Sequence, residues 1–189
     1  MSVKPGTDAH GSVAPSAWVM RFAKNIRPNG LVLDLASGHG RHAAWLEAQG
    51  HRVVAADRDA DALTHCVASE KIFADLESGR GDAWPFAERR FDAIVVTNYL
   101  HRPLFAAIVA ALAEGGVLIY ETFADGNAQY GRPNNPDFLL RRGELLEHCE
   151  ALRVVAYEDG IVAEPKRAAI QRICAIRCAL DGEAFHPIL

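Results

Sequence analysis

The chain has 189 residues, half of them hydrophobic and 23% charged, with a formal net charge of −4 and a pI near 6.0. That length fits one domain, at roughly 100 to 200 residues each, and the balance is ordinarily globular, which excludes disorder, collagen and coiled coil as global descriptions. The negative charge offers no general attraction to nucleic acid or anionic lipid, and no stretch approaches the ~20 apolar residues of a membrane span.

In chain order, residues 1–14 read as a flexible N-terminus without the apolar run of a signal peptide, and residues 15–189 as a single domain. A helical pattern from Ser16 to Ile26 stops at the turn cluster Arg27-Pro28-Asn29-Gly30, and the apolar run Leu31 to Ala36 predicts a buried strand. A helix from Arg41 to Gln49 stops at Gly50, and Arg52 to Ala56 is a second strand closed by Asp57. The pattern repeats with a helix from Asp59 or Asp61 through Val67, a weaker strand over Lys71 to Leu76 and a strong one over Phe91 to Thr97. Pro103 sits where a first helical residue tolerates it, and Leu104, Ile108 and Leu112 share a face up to Gly115-Gly116. Val117 to Glu121 is the fifth strand.

The segment from Thr122 to about Arg142, rich in Gly, Asn and Pro, exceeds the ~12 to 15 residues at which structureless loops become uncommon and reads as a mobile lid. A helix from Gly143 to Ala151 follows. Strand patterns at 152–157 and 170–177 lie too close for a crossover helix, so they should form an antiparallel hairpin. Five β/α alternations ending this way imply a doubly wound, mostly parallel, seven-stranded Rossmann-like sheet with an antiparallel C-terminal hairpin strand. The four cysteines fit a reduced, cytoplasmic protein better than a disulfide scaffold. Cys174 and Cys178, on one face of a strand about 13 Å apart at ~3.3 Å per residue, are too distant to share one zinc ion, and no other spacing makes a metal site.

The most informative stretch is Asp34-Leu35-Ala36-Ser37-Gly38-His39-Gly40-Arg41-His42-Ala43, at the junction of the first strand and its helix, where open α/β sheets bind ligands. Read from Gly38 it satisfies the dinucleotide pattern G-x-G-x-x-A, with Asp57 placed to bond a ribose. Asp34 argues against a dinucleotide. At about 5 Å and an effective dielectric near 20, a pyrophosphate charge beside its carboxylate would cost roughly 3 kcal/mol. A ligand carrying an ammonium and a sulfonium reverses that sign, as S-adenosylmethionine does.

Asp34-x-Ala36-x-Gly38-x-Gly40 resembles the first motif of class I S-adenosylmethionine-dependent methyltransferases, D/E-x-G-x-G-x-G, with Ala36 in place of the first glycine. Gly40-Arg41-His42 with Asp57 is similar to the small tellurite-resistance type. The resemblance spans about Ser16 to Arg177. It implies that Asp34 holds the methionine amino group, directly or through water, and that Ala36, Gly38 and Gly40 let the backbone pass close to it. It further implies that Asp57 takes the ribose hydroxyls, that Asp75 and Leu76 read the adenine, with Asp82 as the alternative acid, and that Asn98 and Tyr99 border the transferred methyl.

The expected function is methylation of a small-molecule acceptor, with no nucleic-acid or membrane partner; the oligomeric state stays open. His101 is the candidate general base, because it follows the fourth strand. Arg102, Tyr130, Arg132 and Arg141 are candidate acceptor contacts, joined by Arg142 in a basic rim suited to a small anion. Two rivals remain, a nicotinamide-dependent oxidoreductase and a non-catalytic S-adenosylmethionine-binding protein.

Overall fold

The computed structural model describes residues 14–78, 84–86, 88–164 and 166–178. The expected flexible N-terminus, apart from Ala14, and Asp82 lie outside them. Seven strands form one sheet in the order β3-β2-β1-β4-β5-β7-β6. These are β1 (Leu31–Leu35), β2 (Arg52–Asp57), β3 (Glu70–Phe73), β4 (Phe91–Thr97), β5 (Leu112–Phe123), β6 (Arg153–Val162) and β7 (Ala168–Ile176). The first five run parallel, and β7 is antiparallel to both of its neighbours.

The central strands are apolar at successive positions because both faces are covered, as parallel sheets require. Leu33, Leu35, Ile94, Val96, Leu118 and Tyr120 pack one face against α4 (Phe105–Ala111) and α5 (Glu144–His148). Val32, Val53, Val95 and Ile119 pack the other against α1 (Ala17–Phe22), α2 (Arg41–Ala48) and α3 (Ala60–His65). Ser16 caps α1 by accepting from the Trp18 and Val19 amides, and the buried Trp18 indole donates to the Ile173 carbonyl of β7. The N-terminal helix is thereby fixed to a strand 155 residues away. No described helix is long and apolar enough to cross a membrane.

Among the boundaries that differ from the sequence reading, three have a clear local cause. The third strand begins at Glu70 and ends at Phe73, because Asp75 folds the chain back, its carboxylate accepting from the Glu77 amide and its carbonyl from Ser78. The helix expected to reach Gly115-Gly116 ends at Ala111, and the two glycines lie inside β5 beside a register shift opposite Phe91 to Ala93. There Gly115, at φ +73°, donates to the Arg177 carbonyl and Gly116 accepts from the Arg177 amide. The last helix is a short one, Glu144–His148, since β6 already starts at Arg153.

Candidate active site

The carboxyl ends of β1, β2, β3 and β4 converge on the turn between β1 and α2. Ala36, Gly38 and Gly40 all take left-handed backbone, at φ +56°, +53° and +75°. For Ala36 that conformation costs about 1 kcal/mol, and it falls where the family motif has its first glycine. A Cβ on Gly38 would meet nothing within 4 Å, so the turn leaves open space on that side. Gly40 is the reverse, since its missing Cβ would land on the Cys66 sulfur.

Asp57 closes this turn: one carboxylate oxygen accepts from the Gly38 amide at 2.7 Å and the other from the Asp59 amide at 2.8 Å. Each oxygen keeps a lone pair for a further donor. Beside it a cavity of about 150 Å³ is lined by Ala36, Asp57, Asp75, Leu76 and Tyr99, five residues that the sequence singles out from four different segments. Arg58, Ala74 and Glu77 complete the lining, with Arg58 and Glu77 paired at 3.5 Å. Sequence reasoning missed this pair, and its only signal is adjacency to Asp57 and Leu76. Burial and the neighbouring Glu77 push the Tyr99 hydroxyl well above the usual phenol range.

Asp34, expected to hold a methionine amino group directly or through water, is turned into the protein and is not open to direct contact. It is 1% exposed, and its carboxylate accepts from the Ala43 amide at 3.0 Å, tying β1 to the first turn of α2. Burial raises its carboxyl to about 7, against the pull of the Ala43 bond and of Arg41. The folded chain therefore keeps a proton that an unfolded Asp loses near pH 4, so stability should fall as pH rises from about 4 towards 7 and level off above. Asp34→Asn retains an oxygen for the Ala43 amide and should flatten that dependence. Urea unfolding at pH 4.5 and pH 8 should show wild type losing about 1 to 3 kcal/mol more than the variant. Equal losses would place the titration elsewhere.

His42 is buried on the same side. Its Nε2 accepts from the Ser16 amide at 3.1 Å, and its Nδ1 lies 3.4 Å from the Thr97 hydroxyl. Burial, helped by Arg41, lowers it to about 3, so the ring is neutral. The Ser16 hydroxyl donates to Glu121 at 2.7 Å, which also takes Arg172 at 3.1 Å.

On the acceptor side, Asn98 is exposed with φ +54°, and the Tyr99 carbonyl is held by the Tyr120 hydroxyl at 2.8 Å. His101 follows in extended backbone and is half-buried. Two members of the basic rim expected to attract a small anion are already paired. Arg102 gives its guanidinium to Glu144 and to the Asp137 and Leu139 carbonyls, and Arg141 pairs with Glu144 and Glu147. Their charge is already met by carboxylates, which sequence spacing could not show. Tyr130 lies under the Arg167 guanidinium at 5.1 Å, while Arg132 is exposed.

The segment over this side is also no structureless lid. It carries two 3-10 turns, Asn127–Gln129 and Pro136–Phe138. Ala124 and Leu140 pair as an isolated bridge, and the buried Asn127 accepts from the Ala169 amide of β7 and donates to the Pro133 carbonyl.

Residues 32–116 match the family model described as a methyltransferase domain. A protein-L-isoaspartate O-methyltransferase of Chlorobaculum parvum is 36% identical over 137 residues, 70% of this chain, and the chain spans 58% of that relative's length. Residues 32–116 thus carry a methyltransferase domain, and the seven-stranded, mostly parallel sheet around them is the Rossmann-like methyltransferase fold. The same fold occurs in the crystal structure of TehB from Haemophilus influenzae, which superposes with a TM-score of 0.73 at 18% identity, over 89% of this chain and 64% of the other. A 1,6-didemethyltoxoflavin-N1-methyltransferase of Burkholderia thailandensis, solved with 1,6-didemethyltoxoflavin and S-adenosylhomocysteine, superposes at 0.60 with 23% identity, over 86% and 77%.

Proposed function

We propose that this protein transfers the methyl group of S-adenosylmethionine to a small-molecule acceptor in the cytoplasm. The observation that supports it most is the cavity in which Ala36, Asp57, Asp75, Leu76 and Tyr99 meet, with the Gly38 amide bonded to Asp57 at its edge. The residues fit the cofactor: Gly38 leaves room where a side chain would intrude, and the buried Ser37 hydroxyl in the same turn has no partner among the described residues. Asp57 would hold the ribose, Asp75 and the Leu76 backbone the adenine, and the 36–40 turn the methionine part. Asp34 would act on that part through α2 rather than by contact.

The cofactor supplies an electrophilic methyl on a positive sulfonium, and transfer is an in-line displacement. Aligning donor and nucleophile can by itself supply an effective molarity of ~10⁵ to 10⁸ M, so this chain's main task is orientation. Tyr99, held through its carbonyl by Tyr120, would border the reacting centre with Asn98. His101 would accept a proton from a phenol or alcohol, and a thiolate would not need it. All four cysteines are free, as a reducing compartment leaves them.

A thermal-shift comparison tests the reading. At a hundred times its Kd, S-adenosylhomocysteine should add about 2.7 kcal/mol, roughly 5 to 10 °C in Tm, where NAD adds nothing. Stabilisation by NAD alone would favour the oxidoreductase. Cofactor binding without turnover on thiols, phenols, selenite or amines would favour a non-catalytic binder. An isoaspartyl peptide belongs in that acceptor screen, because the Chlorobaculum relative is named for that substrate.

A further inference from the structure

Glu144 is completely buried, yet it carries a charge. Burial alone would raise its carboxyl; hydrogen bonds from Arg102 and the Arg141 amide, with the Arg102 charge, hold it down at about 2. Arg102 Nε and Nη2 reach its two oxygens at 2.6 and 3.0 Å, and the Arg141 amide adds a bond at 2.7 Å. The rest of the guanidinium goes to backbone: Nη1 donates to the Asp137 carbonyl and Nη2 to the Leu139 carbonyl, each at 2.8 Å. His148, stacked on Phe105 at 3.8 Å, approaches the same carboxylate at 3.4 Å. One planar fork thus joins the loop leaving β4 to a segment some 35 residues on, which a lysine's single nitrogen could not reproduce.

We infer that Arg102 and Glu144 form a latch that holds residues 137–141 as a fixed wall against the β4 exit loop, making both of them positioning residues for the methyl acceptor. The inference rests on the methyltransferase reading above. The wall keeps other anchors without the latch, since Leu139 and Leu140 are buried and Leu140 bridges to Ala124. What the latch adds is registry. The exit loop is pinned at its start by the Tyr120 hydroxyl on the Tyr99 carbonyl and at its end by Arg102, so His101 is held between two fixed points. An exposed ion pair would contribute little to either property, whereas a buried, fully bonded carboxylate fixes geometry.

The test uses the full chain with Arg102→Lys, which keeps a cation beside Glu144, and Glu144→Gln. Both should bind S-adenosylhomocysteine within about twofold of wild type, since neither residue touches the adenosine cavity. Hydrogen exchange over 137–141 should quicken about tenfold or more, with β1 and β2 unchanged. With the acceptor found in the screen, KM should rise about fivefold or more; kcat should move less than about twofold for a thiolate and fall as well for a phenol or alcohol, which relies on the placement of His101. Unchanged exchange over 137–141 in both variants overturns the latch. So does an unchanged KM. Faster exchange throughout the sheet in Arg102→Lys also overturns it, by making the pair a support of the whole fold. Failure of wild type to bind S-adenosylhomocysteine would instead remove the methyltransferase reading and leave the exchange result to stand on its own.

Discussion

Gly40→Ala should destabilise the folded chain by about 2 to 4 kcal/mol, a fall of roughly 5 to 15 °C in Tm. Two costs add. The residue sits at φ +75°, where an alanine costs about 1 kcal/mol. The new methyl would also overlap the Cys66 sulfur and lie 3.0 Å from the Cys66 Cβ, an overpacking that costs typically about 1 to 3 kcal/mol more. Cys66 is buried at the C-terminal end of α3, so relief requires moving a helix end and not merely turning an exposed side chain. Adding Cys66→Ala should restore part of the loss by removing the sulfur. Gly38→Ala is the informative contrast, for its Cβ meets nothing and only the backbone strain of φ +53° remains. It should change Tm little and weaken S-adenosylhomocysteine binding strongly, because the methyl enters the space left for the ligand. Calorimetry with thermal unfolding separates the two; equal Tm losses in both variants would mean that strain, and not the Cys66 contact, governs position 40.

Asp57→Ala should weaken S-adenosylhomocysteine binding by about 1 to 3 kcal/mol, some 5- to 150-fold in Kd, with a smaller loss of stability without ligand. The carboxylate accepts from the Gly38 and Asp59 amides, so removing it frees two donors and loosens the turn that faces the ligand. Asp57→Asn keeps one accepting oxygen and should fall between wild type and alanine. The two roles of the residue separate by ligand: if Asp57 only braces the turn, the variants should lose as much affinity for an analogue lacking the ribose hydroxyls as for the complete nucleoside. A folded Asp57→Ala chain binding S-adenosylhomocysteine as tightly as wild type would remove the residue from the ribose role.

The sequence by itself determined the architecture and the cluster of residues that meets at the carboxyl edge of the sheet. Strand-length apolar runs alternating with helical faces leave few arrangements besides a doubly wound sheet, because each run must bury both faces while short connections keep one hand. The same local logic exposed the 36–40 turn: where the chain must turn sharply from strand to helix it needs residues tolerant of left-handed backbone, and Gly38 and Gly40 show in the sequence while Ala36 stands in the third such place. Asp57, Asp75, Leu76 and Tyr99 were legible because each follows directly on a strand or its turn, and parallel strands deliver their carboxyl ends to one edge.

Only the tertiary structure decided which charges are spent. Arg102 and Arg141 look in the sequence like free cations on a basic rim, but Glu144, 42 and 3 residues away from them, pairs with both, and Glu147 also takes Arg141. Asp34 looks like a ligand carboxylate, but its partner is the Ala43 amide across the turn, and its burial holds it near neutrality. The long segment after β5 has the composition of a mobile lid, yet Asn127 bonds to Ala169 and Arg102 bonds to its carbonyls. Periodicity and turn chemistry are local properties, whereas the state of a charged side chain depends on which distant group the fold brings within about 3 Å and how much water it removes from both.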